Sequence, residues 1–238
     1  PALLAPMLEA YTKETGIEFK TVYAPKGLVA RLQAEGQNAQ ADMVITVDIS
    51  RVKELADSGL LAPLSSPVIA RNVPAHLRAE DDSWTALSLR ARILAISKKR
   101  VAKDSLQDIE QLAEPEWQGR VCTRKGSHVY NRALLASLIA HHGEEDARAW
   151  AKGLVGNLAR RPQGNDRAQA KAIYAGECDV ALMNTYYFGK MKFNKSEPEQ
   201  RVWADSIELV FFNQQGRGQH VNISAGGIIK TSKDRKNV

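Results

Sequence analysis

The sequence predicts an α/β protein organised as two lobes. Short apolar runs alternate with stretches of helical periodicity in two separate series, and one long extended segment at residues 84–97 joins the series. The length of 238 residues suffices for one large domain or two small ones. Hydrophobic residues make up 44% of the chain and charged residues 25%, the balance of an ordinary globular protein. No apolar run approaches the roughly 18–20 residues that span a bilayer.

The first series opens at residues 3–11, where Leu3, Leu4, Met7, Leu8 and Tyr11 share one helical face. Gly16 stops that helix, and residues 17–23 read as a strand. A Pro25-Lys26-Gly27 turn leads into a helix at 28–35, which Gly36 ends. The apolar run 43–47 is expected to be a buried parallel strand. Asp48 or Ser50 caps the next helix, which finishes at Gly59. The second series begins with a strand at 88–96. Strands at 119–123, 178–183 and 207–212 follow, with helices at 130–142, 144–156, 166–176 and 186–190 among them. Residues 216–227 form a glycine-rich return segment. The expected division is therefore 1–88 with 219–238 as a first lobe and 89–218 as a second. Residues 87–96 and 212–224 act as the hinge, and a ligand cleft lies between the lobes. The chain opens on a helix where such a unit normally opens on a strand, and it closes on a polar stretch at 230–238. The expectation is that both natural ends of the polypeptide lie outside this sequence and that the first lobe is incomplete.

The formal net charge is +6, but it is scattered, and the longest basic cluster is only Lys98-Lys99-Arg100. That describes a solvated basic surface rather than a nucleic-acid interface. Cys122 and Cys178 make neither a zinc site nor a Cys-x-x-Cys motif. They would be buried thiols in a reducing compartment, or a pair in an oxidising one. Pro1 leads into an amphipathic stretch rather than a leader peptide, which suits a cytosolic protein or a processed exported one.

The segment from Asn184 through Thr185, Tyr186, Tyr187, Phe188 and Gly189 to Lys190 follows directly on a strand. It therefore lies at the carboxyl edge of a sheet, where α/β proteins place ligands. Adjacent side chains in the first turn of a helix are about 100° apart, so two long phenols can converge on one point. Tyr130 also follows a strand and opens a helix, at an equivalent edge. Three phenols form a hard, anionic oxygen set suited to a small, highly charged ion such as Fe³⁺. A phenol ionises near pH 10, and a bound trivalent cation would displace that proton. Arg90 and Arg92 are two apart on a strand and share a face, where they either form salt bridges or lie exposed, or clamp an anion. His141 and His142 read as surface residues, His128 is expected to point away from Tyr130, and His220 lies in the return strand. There is no Gly-x-Ser-x-Gly elbow and no phosphate-cradling loop, so nothing points to an enzyme.

At these residues the chain resembles the periplasmic ferric-ion-binding proteins of iron(III) ABC transporters, the bacterial transferrins. The resemblance runs along nearly the whole sequence. It includes residues 41–48 (ADMVITVD), 56–63 (ADSGLLAP), 89–92 (LRAR), 115–121 (PEWQGRV), 126–131 (GSHVYN), 176–187 (GECDVALMNTYY) and 218–224 (GQHVNIS). It implies the type II periplasmic-binding-protein fold and one ferric ion held by Tyr130, Tyr186 and Tyr187, the three-tyrosine pattern. It implies a synergistic anion such as carbonate contacted from the Arg90/Arg92 strand, and a disulfide between Cys122 and Cys178. The implied setting is periplasmic, for an exported monomer that delivers iron to a permease in the inner membrane and binds no nucleic acid. The family's opening strand, which often adds a His or Tyr ligand, has no counterpart here. The competing expectations are a type II binder of a different anionic small molecule held by Arg90 and Arg92, and the effector domain of a transcription regulator.

Overall fold

The computed structural model describes residues 4–24 and 27–233. In chain order these form helices α1 (Ala5–Thr15) and α2 (Leu28–Glu35), strand β1 (Met43–Thr46), α3 (Ile49–Asp57), β2 (Leu61–Ala62) and α4 (Pro67–Asn72). There follow β3 (Thr85–Ser97), β4 (Val121–Cys122), α5 (Val129–Gly156), α6 (Asp166–Tyr174), β5 (Val180–Asn184), α7 (Thr185–Lys192), α8 (Glu199–Ser206), β6 (Ile207–Val210) and β7 (Val221–Ile229). The chain divides into two compact units, one within Pro1–Leu87 and Ser224–Val238 and the other comprising Ser88–Ile223. The boundaries fall inside β3 and β7.

In the first unit β7 is the strand on which β1 and β2 pair, both antiparallel, with Met43 opposite Ile228 and Leu61 opposite Ile229. The expected parallel strand at 43–47 is thus antiparallel and shorter. It alternates, with Val44 and Thr46 buried and Met43 and Ile45 exposed, as a strand covered on one face does. Gly227 is required where it stands, because a Cβ there would come within 2.9 Å of the Ser83 carbonyl oxygen and 3.0 Å of Leu61. Asp48 is the N-cap of α3, its Oδ1 accepting the Ser50 N–H at 3.1 Å, and the helix buries Val52 and Leu55. The strand expected at 17–23 is absent. Its residues are irregular, with Phe19, Val22 and Tyr23 exposed. An alternating pattern makes a strand only when a partner takes up its backbone groups, and no described residue pairs with this one. Phe19 packs instead against Tyr11 of α1, ring centroids 5.7 Å apart. Leu3, Pro25, Lys26 and the last part of the expected polar tail lie outside the described residues.

The second unit holds a sheet in the order β4–β5–β3–β6. β5 and β6 flank β3 antiparallel, with Leu94 opposite both Leu182 and Val210, and β4 runs parallel to β5. Alternating strands and helices argue for a parallel sheet, but among the described residues only the β4–β5 ladder is parallel. Side chains alternate across the sheet and both faces are covered. Leu94, Ile96, Val180 and Leu182 meet Leu134 and Leu138 of α5 on one side, while Ile93, Ala95, Ala181 and Met183 meet α6, α7 and α8 on the other. This two-sided burial explains why β5 reads as an unbroken apolar run. Helix α5 is broken at Gly143 (φ 83°, ψ 169°), at the point where the sequence separates a helix at 130–142 from one at 144–156. Turns of 3₁₀ helix at Lys103–Ser105, Ile109–Ala113 and Pro115–Trp117, and helix α8, were not foreseen.

Cys122 of β4 and Cys178, just before β5, are disulfide-bonded within the second core layer. Their separation of 56 residues makes the closed loop worth about 4 kcal/mol of unfolded-state entropy. Reduction, or Cys122→Ser with Cys178→Ser, should lower the unfolding free energy by a corresponding amount and the denaturant midpoint with it, the slope rising as the freed unfolded chain expands. A midpoint insensitive to reductant would show that the bond contributes no stability.

Candidate metal centre

The tyrosines are placed by two helix starts. β5 runs straight into α7 with no intervening loop, so Tyr186 and Tyr187 occupy its second and third positions, beside the carboxyl end of the strand. Their rings lie 4.4 Å apart at 30°. Tyr130 is the second residue of α5, whose N-cap is His128; the imidazole Nδ1 accepts the Tyr130 N–H at 3.2 Å. That ring does not point away as expected, but stands edge-on to Tyr130 at 4.5 Å. The two helix starts bring the hydroxyls of Tyr130 and Tyr186 to 3.0 Å, although 56 residues separate them in sequence. All three phenols are half-buried.

Cations surround them. The guanidinium carbons of Arg90, Arg92 and Arg124 lie 5.3, 5.9 and 5.1 Å from the centre of the Tyr130 ring, and Lys190 Nζ is 5.5 Å from that of Tyr186. Arg90 and Arg92 are both buried, at 9% and 2% exposure, but they are employed differently. Arg92 NH1 donates to Asp166 Oδ2 at 2.8 Å and to Asn184 Oδ1 at 3.2 Å, and NH2 donates to Asn131 Oδ1 at 2.7 Å. Of the two arginines considered for an anion contact or a salt bridge, Arg92 makes a buried ion pair with Asp166. Arg90 NH1 donates to the Ile223 carbonyl at 2.7 Å. A cavity of about 10 Å³, room for one water-sized group, is lined by Arg90, Arg92, Tyr130, Asn184, His220 and Asn222.

Burial raises the Tyr186 phenol well above the usual tyrosine range, and its hydrogen bonds with the Tyr130 and Tyr187 hydroxyls add to the effect. Without a cation Tyr186 therefore keeps its proton at neutral pH. Burial also lowers His220 to about 4, reinforced by the charges of Arg92, Arg90 and Arg217, so this imidazole is neutral at pH 7. The segment carrying it is anchored by Glu110, which accepts from Asn213 at 2.7 Å and from Arg217 at 2.5 Å. Burial opposes ionisation of that carboxyl, but these donors together with His142 outweigh it and bring it down to about 2. No group of three or more His, Cys, Asp or Glu side chains suited to a metal occurs among the described residues. The phenols are the hard donors this unit presents together.

A family model for bacterial extracellular solute-binding proteins matches residues 38–216. The chain belongs to that family. Its relationship to iron uptake protein A1 of Synechocystis is 41% identity over 227 residues, taking in 95% of this chain and 63% of the relative. Iron uptake protein A2 of the same organism is 40% identical and 60% covered, so the chain spans less than two thirds of the length of either. Among solved structures, a Trichodesmium protein in complex with iron and citrate superposes with a TM-score of 0.92 at 40% identity, over 98% of this chain and 74% of that one. The apo ferric ion-binding protein A of Pasteurella haemolytica does so with a TM-score of 0.92 at 42% identity, over 100% and 74%. This solute-binding protein has the type II periplasmic-binding-protein fold.

Asp166, Arg124, Asn131 and His220 belong to the site's surroundings and were not singled out from the sequence. Asp166 reads there only as a helix start, and no local pattern announces that its partners are Arg92 and Arg124. His220 sits in the segment 218–224, whose resemblance to the ferric-binding proteins was the available signal. The unfolded chain protonates His220 near 6.5 and the folded chain only near 4. Its contribution is thus complete above pH 6.5 and is lost as pH falls towards 4, by about 3 kcal/mol in all. His220→Gln should remove that part of the acid destabilisation, read as unfolding free energy at pH 7, 5.5 and 4. An unchanged pH profile would show that this imidazole is not held neutral.

Proposed function

We propose that this protein binds one ferric ion through the phenolates of Tyr130, Tyr186 and Tyr187. It then delivers the ion, as a periplasmic solute-binding component, to an inner-membrane ABC permease. The observation that carries the reading is the 3.0 Å approach of the Tyr130 and Tyr186 hydroxyls from two separate helix starts, with Tyr187 stacked beside them. Buried phenols that only fill space have no reason to bring their hydroxyls together. The Synechocystis relatives are iron uptake proteins and the Trichodesmium protein is in complex with iron and citrate, which supports the same reading.

Three phenolates balance the charge of one ferric ion, and the surrounding guanidiniums leave positive charge for an accompanying anion such as carbonate. Arg90 is the nearer candidate for that contact, since Arg92 is engaged by Asp166. The reading takes the two compact units, 1–87 with 224–238 and 88–223, as the two lobes expected at 1–88 with 219–238 and 89–218. It makes the protein a carrier and not an enzyme, acting as a monomer. A binder of a different anionic solute is less well supported, because such a ligand gives the phenol hydroxyls of Tyr130 and Tyr186 no reason to converge at 3.0 Å.

Ionisation of the phenols is driven by the metal, so loading should release about three protons per iron in weakly buffered solution, and acid should reverse it. Titration with ferric citrate should produce a broad visible phenolate-to-iron band that saturates at one equivalent. Tyr130→Phe and Tyr187→Phe should each shift that band and weaken binding at least about tenfold. A protein that stays colourless, or phenylalanine variants with the parent's affinity, would overturn the assignment.

A further inference from the structure

Asp166 is fully buried, and its two carboxylate oxygens are shared among three donors. Oδ2 accepts from Arg92 NH1 at 2.8 Å and from the backbone N–H of Asn184 at 2.8 Å, while Oδ1 accepts from Arg124 NH1 at 3.0 Å. Both guanidiniums also lie within 6 Å of the Tyr130 ring centre, at 5.9 and 5.1 Å. Arg92 reaches past the carboxylate to Asn131, the neighbour of Tyr130, and Asn131 Nδ2 is fixed in turn by Thr123 Oγ1 at 3.0 Å. One carboxylate on α6 therefore touches the turn that launches Tyr186 and Tyr187, and through two arginines it reaches the helix start that carries Tyr130.

The charges do not cancel within this group. Two guanidiniums against one carboxylate leave one positive charge, with the arginines only 2% and 12% exposed at the side chain. Each guanidinium also keeps a buried Nε–H with no acceptor among the described residues. Such a surplus is costly without an anion nearby. The ring it faces belongs to a phenol that becomes an anion once metal is bound.

We propose that Asp166 is a positioning residue for the tyrosine site. By dividing its carboxylate between Arg92 and Arg124 it holds one unbalanced positive charge against Tyr130, and through the Asn184 N–H it keeps that arrangement in register with Tyr186 and Tyr187. The proposal rests on the ferric reading above for its function, but its geometry can be tested without metal.

The experiment is a double-mutant cycle on the full chain, crossing Asp166→Asn with Tyr130→Phe. Two readouts are used: ferric affinity by citrate competition together with the visible band, and the near-ultraviolet circular dichroism of the iron-free protein. Asp166→Asn should weaken ferric binding about tenfold or more and move the band, yet change affinity by less than about threefold once Tyr130 is Phe. In the iron-free protein it should alter the tyrosine dichroism only while Tyr130 is present. Equal losses in both backgrounds, with an unmoved band and dichroism unchanged, would reduce Asp166 to a structural residue and overturn the proposal. Arg124→Gln should reproduce the Tyr130-dependent pattern, and it decides the matter should Asp166→Asn fail to fold. Absence of any band in the parent protein would remove the ferric reading, while the metal-free cycle would still decide whether Asp166 positions Tyr130.

Discussion

A carboxylate sealed from water must be met by donors from its own chain, and the second unit is arranged around one that is. Asp166 has no exposure, and its acceptors are filled from β3, from the segment after β4 and from the end of β5. The position of each contributor is thereby restricted. β3 must place Arg92 on the face towards α6, and β5 must end where the Asn184 N–H can reach. The loop after Cys122 must turn so that Arg124 comes back beside Arg92. The two helix starts that carry the phenols then inherit a common reference point.

The sheet supplies the rigidity this requires. Because apolar layers cover both faces of β3 and β5, the strands cannot slip by a residue without exchanging Leu94 and Ile96 for Ile93 and Ala95 between two differently shaped cores. Register at the buried end of β5 is thus transmitted directly to α7, which follows with no loop to absorb an error. Precision at a site is easier to maintain on such elements than on a flexible connection.

How much of this could be read beforehand depended on the range of the interaction. Helices with a capping residue and a glycine stop, such as α3, were legible because their signals lie within a dozen residues. So was the break in α5 at Gly143, and so were the edge positions of Tyr130, Tyr186 and Tyr187, which follow from where strands end. The type II fold was legible through segments spread along the chain. Strand direction was not, because parallel and antiparallel partners bury the same side chains and β1 meets a strand 180 residues later. The pattern at 17–23 suggested a strand because alternation records amphipathicity, not the presence of a partner. Arg92 was placed correctly on a shared face with Arg90, but its ion pair with Asp166 spans 74 residues and leaves no local trace. The environment of His220 is hidden for the same reason, because Arg90 and Arg92 reach it from β3.

The link between Cys122 and Cys178 also alters how the chain would carry mechanical load. Tension applied at the two ends passes from Cys122 across the sulfurs to Cys178, by-passing the stretch between them that holds α5, Tyr130 and α6 with Asp166. Tyr186 and Tyr187 stand on the loaded part of the chain, just beyond the crossing. A protein stretched in the oxidised state would thus draw its paired tyrosines away from a third that stays slack inside a covalent ring. In the reduced state the same pull would extend all of them in turn.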